Sequence, residues 1–476
     1  MVVFFRRNFI LLTLCIFASA GLSVRLRAAV PGKLPAMSYL DNRVIRVGVD
    51  LRMGGAITWL SKSGSKINLI NNYHHNYGRS LQMSDYSGPV PYIPPGKTIA
   101  PAWRSLGWNP VQAGDAFHHA SRVLFCKNND ARSLVVRCIP MQWPLDNVPS
   151  RCTFETRLTL DGPAVRVSNV MTVFRKDHTQ YPAMRQEMPA LYTSSHFYRL
   201  FTYNGDRPFT GAPTVLIDPA SRIAKALSGF PGGVPIPVLW FSHPLMTENW
   251  AALVDKSGFG LGIWEPGSYR FAGGFFGRPD KGGPDSYASG YASPRQTEII
   301  DHNIRFAYRY VLIVGTVKTI RQYVYAHAHP VRSPVWRFKR SRRHWSYINA
   351  RDTGWPIKGR LNISLAQGNP EMIGPVAFWR ASQNPVLYID AKFTKAHGRG
   401  GVFWRGIHAP GFSAGNSLTF PIRGDGRYHL YAIRLAASKT YRGAMIQLRV
   451  DPVLDWHGRA GAWCAVRSIG FTAPQK

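Results

Sequence analysis

Acidic side chains are scarce in this chain: its 476 residues carry 25 Asp plus Glu against 59 Lys plus Arg, a formal net charge of +34. With so few, a carboxylate in unusual surroundings is informative, and titration losses in acid are kept small. Cysteine is also sparse. Cys15 lacks the small preceding residue of a lipoprotein anchor, and Cys126, Cys138, Cys152 and Cys464 are too few to form a disulfide framework. They read either as buried thiols or as one bond among the first three. No CxxC or His/Cys spacing suggests zinc, and no GxSxG, Walker, Rossmann or HExxH motif is present. Beyond the N-terminus no run reaches the roughly 20 apolar residues of a membrane helix, which excludes a stable span of that kind. The basic residues are scattered, apart from a cluster at Arg337 to Arg343, and match no nucleic-acid-binding motif, so nucleic acid is not the expected partner.

At the N-terminus, Arg6 and Arg7 precede an apolar run from Phe9 to Phe17 and then Ala18-Ser19-Ala20. This is the order of a signal peptide, residues 1–20, with cleavage expected after Ala20 and a secreted or periplasmic destination. Arg6-Arg7-Asn8-Phe9-Ile10 also loosely fits a twin-arginine export signal. For an exported chain, the strong positive charge has two readings: work in an acid habitat, or contact with a polyanion such as an acidic glycan or the cell envelope.

Most segments read as strand. Val44 to Leu51, Ser133 to Ile139, Cys152 to Leu160, Val165 to Val173, Trp250 to Val254 and Ile304 to Val314 are rich in β-branched and aromatic residues and are bounded by Gly, Pro, Asn and Asp. Such spacing predicts antiparallel sheet. The clearest helix spans Thr316 to Ala326, where Ile320, Tyr323, Val324 and His327 follow an i, i+3, i+4, i+7 pattern and close a first domain at 37–330. "HPVRSPVWRFKRSRRHW" opens a basic linker or extended strap, 331–351, whose charge run is either solvated or an anion-binding patch. From 352 to 476 short strands return, among them Val386 to Phe393, Gly401 to Trp404, Ser417 to Ile422, Tyr428 to Leu435, Ile446 to Asp451 and Ala465 to Phe471. Their number and length fit a β-sandwich or jelly roll. The expected fold class is therefore all-β, with one short helix.

"DGRYHLYAIRLAASKTYRGAMIQLRVDPVLDWHGRAGAWCAVRSIGF", Asp425 to Phe471, resembles a jelly-roll, carbohydrate-binding-like module often appended to secreted glycan-active proteins. In the first module, "LDNRVIRVGVDLRMGGAITWLSKSGSKINLINNY" is similar to the opening of galactose-mutarotase-like supersandwich domains, and "GRSLQMSDYSG" resembles a G-R-x-x-Q-x-S-x-Y segment of an uncharacterised bacterial branch of that fold. That branch commonly has an Asp shortly before the Gly-Arg, where this chain has Asn76 and two histidines. The resemblance implies a large antiparallel β-supersandwich followed by a smaller jelly roll. It also implies a polysaccharide or oligosaccharide as partner and a concave sheet face as binding site.

Within that frame "INNYHHNYGRSLQMSDYSGP", residues 70 to 89, mixes aromatic rings with planar hydrogen-bonding groups and few aliphatics. Asn72, Tyr73, Tyr77, Gln82 and Tyr86 read as cleft wall. Arg79 either clamps a uronate carboxylate or paired hydroxyls, or stacks on Tyr to hold the loop. Glu187, between Gln186 and Met188-Pro189, is a candidate general acid with a desolvated carboxyl, or else a structural partner of Arg185 or Arg199. Asp301 is the second catalytic candidate, in Asp301-His302-Asn303, where strand alternation sends His302 to the face opposite Asp301 and Asn303. Glu248 with Trp250 on the same face reads more readily as a core Trp beside a surface Glu than as a sugar platform. Trp108, Asn109 and Asp115 suit ring stacking and hydroxyl recognition or a structural turn. His118-His119 and His327-x-His329 lack acidic partners nearby, so no metal and no cofactor is expected. The leading expectation is a secreted glycoside hydrolase with Glu187 and Asp301 as the carboxylate pair. A polysaccharide lyase using Arg79 and Asn72 on an acidic glycan, and a non-catalytic glycan- or envelope-binding protein, remain open.

Overall fold

The computed structural model describes residues 35–73, 83–84, 90–99, 101, 106–130, 132–217 and 245–474. The chain is all-β, and from Ala36 to Lys476 it forms one compact unit. Among the described residues the first part builds three main sheets: a three-stranded sheet from Met37 to Lys62, a nine-stranded antiparallel sheet, and a smaller sheet centred on Ser289–Glu298. Alternation within Cys152–Asp161 and Ala164–Val173 sends Leu158, Val165 and Val167 inward. There they meet Leu40, Val47 and Leu60 of the three-stranded sheet and Leu191, Phe271 and Ala292 of the smaller one. This shared apolar layer makes the first part a sandwich.

The outer face of the nine-stranded sheet is covered by the expected helix, Val317–His327. The side chain of Thr316 caps its N-terminus by accepting from the Thr319 N–H, and Ile320, Tyr323 and Val324 pack on Trp250, Val254 and Ile313.

Two six-stranded antiparallel sheets between Val335 and Gly470 form a second sandwich around Trp345, Trp379, Trp404, Phe393 and Leu448. The segment 331–351 differs from the expected linker. Val335–Arg337 pairs with Trp463–Gly470, Ser346–Ile348 pairs with Glu371–Ile373, and Trp336, Phe338 and Trp345 lie in the core. The apolar residues between the charges, rather than the charges themselves, decide the placement of this segment. Cys126, Cys138, Cys152 and Cys464 are free thiols, the last three buried. No described helix is long and apolar enough to cross a membrane.

Candidate functional site

The smaller sheet positions the site. Met184–Glu187 and Ala190–Ser194 pair in turn with one edge of Ser289–Glu298, and Arg270–Phe276 pairs with the other. Directly opposed residues share a face, so Glu187, Arg295 and Arg270 form one row across three strands, with Tyr192, Tyr291 and Gly274 forming another. Glu187 and Arg295 are ion-paired and only 16% and 14% exposed. Burial would lower the Arg295 guanidinium pKa, but the Tyr291 and Glu187 groups outweigh it and hold it above its ordinary value. Tyr291 is fully buried, and burial followed by the Glu187 charge pushes its hydroxyl well up.

Beyond Arg270, the strand Ser289–Glu298 continues without its neighbour on that side, since pairing begins at Arg270 with Arg295. The uncovered stretch floors a cleft of about 110 Å³ lined by Tyr269, Arg270, Arg295, Gln296, Thr297 and His344, among others. The second sandwich closes the opposite wall with Ser346, Gly374 and Gln447. His344 and the preceding Arg343 both have left-handed backbone, φ 65° and 54°, a conformation that costs a side-chain-bearing residue of order 1 kcal/mol or more. The strained turn delivers the His344 Nδ1 onto the Glu298 carboxylate.

Behind the floor lies Glu265, 2% exposed, at the end of the strand Phe259–Trp264. Its Oε1 accepts from the Gln296 amide at 3.2 Å. Its Oε2 has no hydrogen-bond partner, and the Ser268 hydroxyl, which partly offsets the rise in its pKa, also lies 3.3 Å from the carbonyls of Arg270 and Arg295. Burial first, and the Glu298 charge second, push the Glu265 carboxyl well above the usual range. It stands next to a second carboxyl, Glu298, that a histidine holds. Burial also raises the Tyr269 hydroxyl to about 12.

The structure places the residues singled out by sequence as follows. Glu187 lies beside the cleft through Arg295, as the ion-paired carboxylate rather than the free acid. Tyr73 packs edge-on against Tyr287, with ring centroids 5.5 Å apart, and the Asn72 N–H donates to the Pro284 carbonyl at 2.6 Å. Arg79, Tyr77, Gln82 and Tyr86 lie outside the described residues.

Asp301 is not a cleft carboxylate. It is 2% exposed and accepts from Arg342 Nη1 at 2.6 Å, while the same guanidinium grips Asp352 through Nε and Nη2, each at 2.7 Å. Gln180 reaches both carboxylates, and the Trp355 N–H donates to Asp301. Asp301 thus fastens the first sandwich to the segment 331–351. Glu298, still short of Asp301, is already about 10 Å along the strand from the partner of Glu187. That is the outer limit for two carboxyls flanking a glycosidic bond. His302 contacts His178 at 3.1 Å; residues 301–303 lie in the turn between Ser289–Glu298 and Arg305–Thr316, not in a strand, so the expected alternation does not govern them.

Glu248 and Trp250 are both fully buried, so neither forms a sugar platform. The carboxylate accepts from Trp250 Nε1, from two Arg321 nitrogens, from the Tyr325 hydroxyl and from the Phe209 N–H. Burial would raise its pKa, but these donors, led by Arg321, hold it below its ordinary value. Trp108 and Asn109 are likewise core residues. Asp115 is the structural turn, accepting from the N–H groups of Phe117, His119 and Asn147. Among the described residues no three His, Cys, Asp or Glu side chains converge to hold a metal ion.

Sequence reasoning passed over Glu265, Arg270, Arg295, Glu298, His344 and Arg405. A usable signal existed for the two glutamates. Each stands at a strand end among apolar or aromatic neighbours, in "GIWEPG" and "RQTEII", in a chain with few carboxylates.

Fold and cleft together define an all-β protein with a cleft where its two sandwiches meet. No family model matches the chain, and no curated protein matches it. Among solved structures it is similar to a galactose mutarotase related enzyme from Lactobacillus acidophilus, at 8% identity and TM-score 0.35, covering 58% of this chain and 97% of that one. It is also similar to a galactose mutarotase-like protein from Lactobacillus casei, at 8% identity and TM-score 0.34, covering 58% of this chain and 99% of that one. A 4-alpha-glucanotransferase from Thermococcus litoralis matches at 8% identity and TM-score 0.29, covering 59% of this chain and 37% of that one.

Proposed function

We propose that the protein is an exported carbohydrate-active enzyme that hydrolyses a polysaccharide in the cleft beside Tyr269. The observation that carries this reading is Glu265, a carboxyl whose pKa is raised by burial and by the Glu298 charge and which accepts from Gln296 of the cleft lining. A carboxyl whose surroundings favour its protonated form, with a second carboxyl beside it, is what acid-assisted glycoside hydrolysis uses. Glu265 gives its proton to the leaving glycosidic oxygen as the C–O bond breaks. Glu298, oriented by His344, takes a proton from the water that attacks the anomeric carbon. Tyr269, Gln296, Thr297 and Gln447 supply the aromatic and planar hydrogen-bonding surface that a sugar ring needs. Glu187 acts by holding Arg295 in place.

The test is a panel of neutral and acidic polysaccharides, assayed from pH 3 to 7 for new reducing ends and for the absorbance of unsaturated uronates. Hydrolysis gives reducing ends alone. Glu265→Gln changes no net charge, keeps the contact to Gln296, and should lower the rate by about 10²-fold or more. Unsaturated products would replace hydrolysis with elimination. A Glu265→Gln variant of wild-type activity would remove the acid role.

A further inference from the structure

The outer face of the sheet that closes the cleft carries a second unusual group. Arg405, in the strand Gly398–Gly406, stands directly opposite the cleft residue Gln447 and is only 8% exposed. Alternation sends the preceding Trp404 into the core of the second sandwich and leaves Arg405 on the face turned to the cleft. Its Nε and Nη2 have no hydrogen-bond partner. The ring of Phe412, 5.9 Å from the guanidinium carbon, is the one contact of note. Burial first, and then the charge of Arg270, bring the guanidinium down to about 10. Arg270 is lowered as well, by burial and by Arg185.

A buried, uncompensated cation is costly, and proteins normally pair it. Among the described residues Glu187 is paired with Arg295, Glu298 with His344, and Glu371 and Asp451 with Arg449, and no ion pair joins a carboxylate to Arg405. Among the described residues no hydrogen-bond partner meets Arg405 Nε or Nη2, so an anionic ligand would supply the counter-charge that this site lacks. A guanidinium offers planar paired donors, which fit the two oxygens of a carboxylate.

We propose that Arg405 and Arg270 form an anion subsite at the edge of the cleft that takes the carboxylate of a uronic acid residue in the polysaccharide. The inference rests on the cleft being a saccharide site and assigns its substrate class, an acidic glycan. It places a specificity residue in the second sandwich, with the reacting carboxyls in the first.

The test is equilibrium binding followed by thermal shift at constant ionic strength, with sodium glucuronate, glucuronate methyl ester and sodium sulfate as probes. The wild type should be stabilised by glucuronate and not by the uncharged ester. Arg405→Gln should weaken glucuronate binding at least tenfold, Arg405→Lys should recover part of it, and Arg399→Gln, exposed on the same strand, should match wild type. Without ligand, Arg405→Gln should melt above the wild type, since it removes an unpaired buried charge. This also shows that the variant folds. Unchanged glucuronate binding by Arg405→Gln, or a lower melting temperature without ligand, would overturn the subsite. A response to sulfate with none to glucuronate would replace the uronate with a free inorganic anion and overturn the substrate class. Glu265→Gln separates the two readings: it should abolish cleavage while leaving glucuronate binding intact.

Discussion

Replacing Arg342 by methionine removes the guanidinium that joins Asp301 to Asp352 and strands two carboxylates that are 2% and 6% exposed. Deleting one partner of a buried ion pair costs about 3–5 kcal/mol, because the remaining charge keeps its desolvation penalty. Here Gln180, Tyr347 and the N–H groups of Gly354 and Trp355 still donate to the carboxylates. That keeps the expected loss near the middle of the range, about 4 kcal/mol. At about 2.1 cal/mol/K per residue, the unfolding entropy of the stretch Ala36–Lys476 is close to 0.9 kcal/mol/K, so the melting temperature should fall by about 4 °C.

The pH dependence has a definite sign. Burial would raise the Asp352 pKa, but the hydrogen bonds and charge of Arg342 outweigh it and hold it below its ordinary value. The stabilisation is therefore present above the unfolded pKa of about 3.9 and is lost as pH falls through the folded value. Calorimetry and urea unfolding at pH 6 and at pH 3 should show the gap between variant and wild type at the higher pH and its narrowing at the lower. A loss under about 1 kcal/mol at pH 6, or one independent of pH, would refute the clasp. Adding Asp352→Asn to Arg342→Met should restore part of the loss.

Glu265→Gln has the opposite pH signature. The raised Glu265 pKa stabilises the fold below the unfolded value of about 4.3, and this is lost as pH rises. The variant should match wild type near pH 4 and gain on it by up to about 1.4 kcal/mol per pH unit above that, as read from urea midpoints between pH 4 and 8. Thr316→Ala removes the cap of the helix Val317–His327 and should cost about 1 kcal/mol; a loss under about 0.3 kcal/mol by calorimetry would contradict the cap.

The strands, the turns and the helix were legible because each is written in a periodicity of two or 3.6 residues over a short window. Val317–His327 shows the pattern and the cap together, in adjacent residues. The segment 331–351 was misread as a linker because its charges are local and visible, whereas the burial of Trp336, Phe338 and Trp345 depends on strands more than a hundred residues later.

The roles of the carboxylates were not legible for the same reason. Asp301 became structural through Arg342, Glu248 through Arg321 and Tyr325, and Glu187 through Arg295, all at long separation along the chain. Sequence alone determined that this protein is built largely of sheet, with a helix near Thr316 to Ala326 and very few acids, since those properties are set by neighbours along the chain. Only the tertiary structure decided which acid has its pKa raised by burial and which arginine keeps nitrogens without a hydrogen-bond partner. Desolvation and ion pairing depend on what surrounds a group in space, and for Glu265 and Arg405 those surroundings are assembled from distant strands.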